Sequence, residues 1–340
     1  MDRPVNRQWL LARRPEGVVA DEDFRLVETP APEPGEGEAL VRNLVLSVDP
    51  TQRGWMAVDT YLPRVKIGDV MRSFAAGQVV ASRHPDLRPG QLVQGLLGWQ
   101  DYAVVRPGTA SAPTPLPPGV PIETAMSALG LTGLAAYFGL LDVGRPRPGE
   151  TVLVSGAAGA TGSVAAQIAR IQGCRVVGIA GGPEKCRYLT EELGLDGAID
   201  HRNDNVARKL RQLCPDGVDV YFDNVGGPML DVVLLALAMR GRIVLCGGIS
   251  GYSDARPKAG PANYLALVSK RGRMEGFIVL DYFPRAAEAV AALSGWLREG
   301  KLKDRVDVVH GLENAPAALR RLFEGANQGK QLVRIAEPRP

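Results

Sequence analysis

The stretch SGAAGATGSV spaces Gly156, Gly159 and Gly162 three residues apart, with Ala157 standing where the usual G-x-G-x-x-G would have its first glycine. The chemistry such spacing serves is the binding of a pyrophosphate. Small residues at Gly159, Ala160, Thr161 and Gly162 let the backbone approach phosphate oxygens, and the free N–H groups and dipole of a following helix favour the negative charge. The context fits: VLVS before the turn is an apolar strand, VAAQIARIQG after it is a helix, and a second strand, CRVVGIA, follows at the expected distance. A tight strand-to-helix turn with no ligand is the plainer alternative, which the second strand disfavours. A dinucleotide is the expected ligand.

In a fold that prefers NAD, an Asp or Glu about 20 residues beyond the glycines accepts hydrogen bonds from the adenosine ribose. Here that place holds Ala180, Gly181 and Gly182, and the next helix opens with Pro183, Glu184 and Lys185. Without a carboxylate a 2′-phosphate meets no repulsion, and Lys185 is placed to meet it. NADPH is therefore favoured over NADH. The alternative for Lys185 is a solvated side chain weakly paired with Glu184.

Other chemistries find little support. Cys174, Cys186, Cys214 and Cys246 form no C-x-x-C pair, and His84, His201 and His310 are scattered, with neither H-E-x-x-H nor G-x-S-x-G present. Basic residues outnumber acidic ones by only 40 to 37 and the signs are interspersed, so neither nucleic acid nor an anionic membrane is indicated. No apolar run reaches the ~18 residues a membrane span needs, and the start lacks the apolar core of a signal peptide. A cytoplasmic protein with a small-molecule partner is the expectation.

The elements that must carry these residues follow from hydrophobic periodicity, and 340 residues with 45% hydrophobic content suffice for two packed domains. Residues up to about 127 show short apolar runs broken by Pro and Gly, the pattern of a β-rich unit. AMSALGLTGLAAYFGLLDV is spaced as a helix, and from TVLVSG onward strands alternate with helices. Strands are expected at Thr151 to Ser155, Arg175 to Ala180, Gly197 to Asp200, Asp219 to Asp223, Arg242 to Gly247 and Arg273 to Leu280. RAAEAVAALSGWLREGKL reads as a further helix, and the segment from VDVVHG to QLVRI as strand, helix, strand that could complete the first domain. The chain is thus of the α/β class, with a doubly wound parallel sheet.

Its motifs resemble the zinc-independent medium-chain dehydrogenase/reductases, in the branch of NADPH-dependent alkenal/one reductases that includes prostaglandin and curcumin reductases. The landmarks run along nearly the whole chain: LSVDPTQRGWM, GWQDYAVV, LGLTGLAAYFGLLDVG, SGAAGATGSVAAQIA, GCRVVGIAGGPEKCRYL, DVYFDNVGG, CGGIS with GYS, RMEGFIVLDY and GLENAPAALRRLFEGANQGK. WLREGKL and GLENAPAAL are similar to the stand-alone bacterial curcumin-reductase-like members. The resemblance implies a GroES-like catalytic domain from residues 1–127 and 306–340 around a Rossmann domain at 128–305, and a homodimer paired through the RMEGFIVL strand.

It also implies roles. Gly159 and Gly162 match the pyrophosphate turn, Lys185 the 2′-phosphate lysine, and Asn224 an asparagine near the cofactor. Cys246, Gly247 and Ile249 would line the dinucleotide, Phe277, Val279 and Asn327 would surround the nicotinamide, and Tyr252 falls on a tyrosine near the reacting carbonyl. The departures are His201 for a tyrosine at the phosphate-bearing ribose, Gln328 for an aromatic residue, Ala135 for a threonine, and Thr51 and Gln52 for bulkier residues. Thr51, Gln52 and the Tyr61 loop should border the substrate. With no Cys and only His84 in the N-terminal domain, metal-assisted carbonyl reduction lacks ligands, and an activated alkene, an enal or enone, is the expected substrate. A quinone reductase and a non-catalytic NADPH-binding protein remain alternatives, and Tyr252 could merely pack beside the nicotinamide.

Overall fold

The computed structural model describes residues 3–108, 113–253 and 260–339. The chain divides into two compact units, one of residues 1–126, 306–327 and 331–340, the other of residues 127–305 and 328–330.

In the first unit, β1 (Val5–Leu11) and β2 (Phe24–Pro30) form an antiparallel pair. A larger sheet is built on β3 (Ala39–Ser47), β4 (Phe74–Ser82), β5 (Leu92–Leu96), β6 (Tyr102–Val105) and β7 (Thr114–Pro115). β3 is buried along almost its whole length because an apolar cluster lies on each face. Val41 and Leu46 join Val79, Trp99 and Leu319 in one cluster, while Leu44 and Val45 join Ala76, Ile122 and Leu332 in the other. The change of side falls where the register with β4 shifts between Asn43 and Val45, as an inserted residue requires of a chain whose side chains alternate.

The second unit carries β8 (Thr151–Ser155), β9 (Arg175–Ala180), β10 (Gly197–Asp200), β11 (Val218–Asp223), β12 (Leu237–Leu245) and β13 (Arg273–Gly276). All neighbours are parallel, in the order β10-β9-β8-β11-β12-β13. Taking the strands of this sheet in sequence, that is third, second, first, fourth, fifth, sixth, the Rossmann order expected from the alternation of strand and helix. The chain then returns through β14 (Val306–His310), the helix Ala315–Glu324 and β15 (Lys330–Arg334), whose strands complete the first unit's sheet beside β3.

Two local expectations are corrected. The strand expected from Arg273 to Leu280 ends at Gly276: β13 pairs only with β12, and the apolar FIVL run leads into a 3₁₀ turn at Val279–Arg285 that contains Pro284. The long helix read over AMSALGLTGLAAYFGLLDV is broken into Ile122–Met126 and Leu131–Phe138, with Gly130 extended at the second start, before a π-helical turn at Gly139–Gly144.

Candidate functional site

The order of the parallel sheet reverses between β8 and β11, so the loops leaving their carboxyl ends diverge and leave a crevice. The loop after β8 is the glycine turn. Gly156 has φ +59°, and Gly159, at the N-cap of the helix Ala160–Ile171, donates its N–H to the Gly156 carbonyl at 2.9 Å. A Cβ on Gly162 would lie 2.3 Å from the Gly156 oxygen, so any side chain there would push the turn apart. Ala160 and Thr161 complete a helix start without bulk, which meets the requirement of a pyrophosphate for close backbone and unencumbered N–H groups.

A buried acid fixes the crevice floor. Asp223, at the end of β11, is fully buried, and its Oδ1 accepts from Ser155 Oγ (2.9 Å), the Tyr221 phenol (2.7 Å) and the N–H groups of Val225 and Gly226 (both 2.9 Å). Burial and the Asp223 carboxyl push the Tyr221 phenol well above its ordinary pKa. Asn224 is held by its own amide, whose Nδ2 donates to the Ser155 carbonyl at 2.7 Å. Cys246 and Gly247 donate their N–H groups to the Asp223 carbonyl at 2.9 and 3.1 Å, and Ile249 N donates to Asn224 O at 3.3 Å. The sequence-expected lining residues Asn224, Cys246, Gly247 and Ile249 are thus brought together by main-chain bonds between the two loops. Burial raises the Cys246 thiol to about 12, so it stays protonated as a small polarisable lining group.

Tyr252 closes the short helix Ile249–Tyr252 and folds back, its phenol oxygen accepting from Gly248 N at 3.1 Å. The side chain therefore borders the same loop as Cys246 and Gly247. Phe277 follows β13 and packs its ring against Gly139, where a Cβ would come within 2.5 Å of Phe277 Cζ. Val279 begins the 3₁₀ turn. Asn327 belongs to the first unit, directly before the 328–330 segment that joins the second.

At the end of β9, the corner expected to meet a 2′-phosphate is more basic than the sequence reading had it. Lys185 lies on the helix Pro183–Arg187. Across from it, a Cβ on Gly181 would sit 2.9 Å from His201 Nε2 and 3.0 Å from Arg202 Nε, so the bare glycine backbone makes room for both side chains. Burial, then the charges of Arg202 and Lys185, lower the His201 pKa. Asp200 shapes the corner rather than opposing it. Burial pushes its carboxyl up, but hydrogen bonds from Gly182 N (2.8 Å), Asn203 Nδ2 (2.7 Å) and Arg202 N (3.0 Å) outweigh that and hold it below the ordinary carboxylate value. Arg202 was missed from sequence, although its signal was there: a basic HR pair directly after the third strand, in the position that faces the β9 turn. The Glu184 carboxylate accepts from the Gln328 amide, whose oxygen accepts from Arg305.

In the first unit, the helix Thr51–Ala57 carries the residues expected to border the substrate. Thr51 Oγ1 and the exposed Tyr61 hydroxyl lie 3.2 Å apart. Gln52 requires correction: it is 0% exposed, its Nε2 donates to the carbonyls of Ser47 (3.2 Å) and Arg72 (3.3 Å), and its Oε1 accepts from Asp49 N. The first turn of the helix points this amide inward, so Gln52 braces Thr51 from behind and presents no side chain outward.

Comparison with known proteins agrees with this geometry. A family profile described as the N-terminal domain of oxidoreductase matches residues 7–112, and one described as zinc-binding dehydrogenase matches residues 160–295. Among the described residues no group of three or more His, Cys, Asp and Glu is placed to hold a metal ion. The NADPH-dependent curcumin reductase of Escherichia coli is 42% identical over 337 residues, covering 97% of each chain. Prostaglandin reductase 1 of Mus musculus is 39% identical over 332 residues, 96% of this chain and 98% of that one. The crystal structure of CurA from Vibrio vulnificus in complex with NADPH matches with a TM-score of 0.92 at 40% identity, covering 98% of this chain and all of that one. With its parallel sheet order, its glycine turn and relatives that match it almost end to end, this chain belongs to the zinc-independent medium-chain dehydrogenase/reductases, in the branch of the NADPH-dependent alkenal/one reductases.

Proposed function

We propose that this protein uses NADPH to reduce the C=C bond of α,β-unsaturated aldehydes and ketones. The observation that carries the reading is the tight glycine turn, in which a Cβ on Gly162 would collide with the Gly156 carbonyl, set at the reversal of the sheet. The relatives named curcumin reductase and prostaglandin reductase, and the NADPH complex of CurA, support it.

When bound, NADPH supplies a hydride from its nicotinamide. The turn of Gly159 and Gly162 would seat the pyrophosphate at the start of the helix, where the N–H groups of Ala160, Thr161 and Gly162 would hold it, and Lys185, His201 and Arg202 would hold the 2′-phosphate. Asn224, Cys246, Gly247 and Ile249 line the dinucleotide, with Phe277, Val279 and Asn327 around the nicotinamide. Thr51 and Tyr61 border the substrate. Addition at the β-carbon moves negative charge onto the carbonyl oxygen, and the Tyr252 phenol donates a hydrogen bond to that oxygen as charge develops. Water then protonates the α-carbon.

The same reading includes a homodimer. β13 ends the parallel sheet with one edge unpaired among the described residues, and Leu235, Met239, Tyr264, Leu265 and Val268 are exposed on the same unit. The deciding experiment supplies NADPH with an enone, an enal or a quinone and identifies the products. Saturated ketone and aldehyde are expected. An allylic alcohol, or turnover of the quinone alone, would overturn the reading.

A further inference from the structure

A short segment ties together the two parts of the second unit that are expected to meet phosphate. Gly329 donates its N–H to the Ala158 carbonyl at 3.1 Å and forms a parallel bridge with Gly159, so it lies against the glycine turn. Its φ is +74°, and a Cβ there would come within 2.1 Å of the Arg305 carbonyl oxygen, so only glycine passes. Lys330 N donates to the same Arg305 carbonyl at 2.9 Å. With its main chain fixed at Gly329 and Lys330, the segment presents the Gln328 side chain to the helix Pro183–Arg187, which carries Lys185.

Gln328 stands between opposite charges. Its Nε2 donates to the Glu184 carboxylate and its Oε1 accepts from Arg305 Nη2. The amide has one satisfactory orientation, because an ionised carboxylate only accepts and a guanidinium only donates. Arg305 is held in turn: its guanidinium carbon lies 4.6 Å from the centroid of the buried Tyr188 ring, and its Nη1 lies 3.5 Å from Glu192 Oε1. The pull on Glu184 therefore starts from an anchored cation and passes through a neutral amide. Among the described residues Gln328 is the one hydrogen-bond partner of Glu184, and no cation lies within ion-pair distance of that carboxylate. The acid beside Lys185 in sequence is thereby occupied on the segment.

We propose that Gln328 is a positioning residue for the choice of cofactor: it keeps the Glu184 carboxylate turned toward Arg305, so that this acid neither neutralises Lys185 nor repels a 2′-phosphate. This rests on the reading that Lys185, His201 and Arg202 hold the 2′-phosphate. Glu184 stands in the first turn of the helix after β9, just past the place where an NAD-preferring fold puts its ribose-binding acid. Released from Gln328, its carboxylate would oppose the phosphate or pair with the lysine. The preference for NADPH then depends on a side chain 144 residues downstream of Glu184 that does not itself touch the phosphate.

The test measures dissociation constants for NADPH and for NADH by cofactor fluorescence, without substrate, in the unmodified protein, in Gln328→Leu, in Glu184→Gln and in the double variant. Gln328→Leu should lower the NADPH-to-NADH affinity ratio about 3- to 10-fold, the size of a partly screened charge interaction, and the effect should shrink as salt rises. Adding Glu184→Gln should restore the ratio to within about twofold of the unmodified protein, and Glu184→Gln alone should leave it within about twofold. Equal weakening of both cofactors by Gln328→Leu, or a loss that Glu184→Gln does not rescue, would overturn the proposal and leave Gln328 as a structural tie. Should the leucine variant not fold, Gln328→Glu decides in the same way: it keeps an acceptor for Arg305 but sets a second carboxylate against Glu184, and the same rescue by Glu184→Gln is required. A strong preference for NADPH that no Gln328 variant moves would overturn the proposal alone. Equal binding of the two cofactors by the unmodified protein would instead remove the phosphate corner, and the proposal with it.

Discussion

The turn at the ends of β8 and β11 is made chiefly of backbone, whereas the corner around Thr51 and Tyr61 is made of side-chain ends. In the first, Gly162 matters because a Cβ there would meet the Gly156 carbonyl at 2.3 Å. In the second, the hydroxyls of Thr51 and the exposed Tyr61 meet 3.2 Å apart at a helix start, and neither binds a main-chain group there. A backbone-built corner tolerates little change and suits a ligand part that does not vary, such as a pyrophosphate. A side-chain-built corner can be retuned residue by residue, which suits a substrate that differs among relatives.

This contrast can be broken at several points, in falling order of effect. Gly162→Val should abolish measurable NADPH binding, a loss of more than about 100-fold or ~2.7 kcal/mol, read by titration of cofactor fluorescence. Thr51→Val in the other corner should shift KM only a few-fold. Comparable losses from the two would erase the distinction. Tyr252→Phe should lower the single-turnover hydride-transfer rate by roughly 10- to 1,000-fold while cofactor affinity changes only a few-fold, because the ring stays and one donor leaves. An unchanged rate would take Tyr252 out of the chemistry. Lys185→Glu should shrink or reverse the preference for NADPH over NADH, costing about 1.5–3 kcal/mol in NADPH binding. Equal dissociation constants for the two cofactors in the unmodified protein would refute the phosphate corner.

The smallest effect is one of pH. With its pKa below the ordinary ~6.5, His201 is neutral near pH 7 in the cofactor-free protein. A dianionic 2′-phosphate favours the imidazolium, so NADPH binding takes up a proton and tightens as pH falls, while NADH binding does not. Between about pH 8 and pH 6.5 the NADPH-to-NADH affinity ratio should widen a few-fold, before protonation of the phosphate itself, near ~6, works against it. In the empty protein the same shift has the opposite sign: the unfolded chain binds the proton more readily, so stability declines as pH falls through His201's ordinary range. His201→Gln should flatten both dependences.

What could be read in the sequence follows the same division. The parallel sheet, the glycine turn and the basic residue after β9 were legible because local spacing dictates them. The partner of Gln328 was not legible, since it is distant in the chain: Gln328 binds Glu184 from 144 residues away. Gln52 was misjudged because being next to Thr51 says nothing of which face of a helix turn a side chain takes. The FIVL run looked like strand from its side chains alone, but a strand also needs a partner, and the pairing with β12 stops at Gly276.

One oxygen of Asp223 gathers a hydroxyl from β8, a phenol from β11 and two amides from the loop beyond. The main-chain carbonyl of the same residue ties in the loop after β12. The bed on which a dinucleotide would lie is therefore one mechanical piece, without separate fingers that could fray in turn. Warming or denaturant should leave it intact until it is lost whole, so that partial, half-functional versions of the site have almost no population.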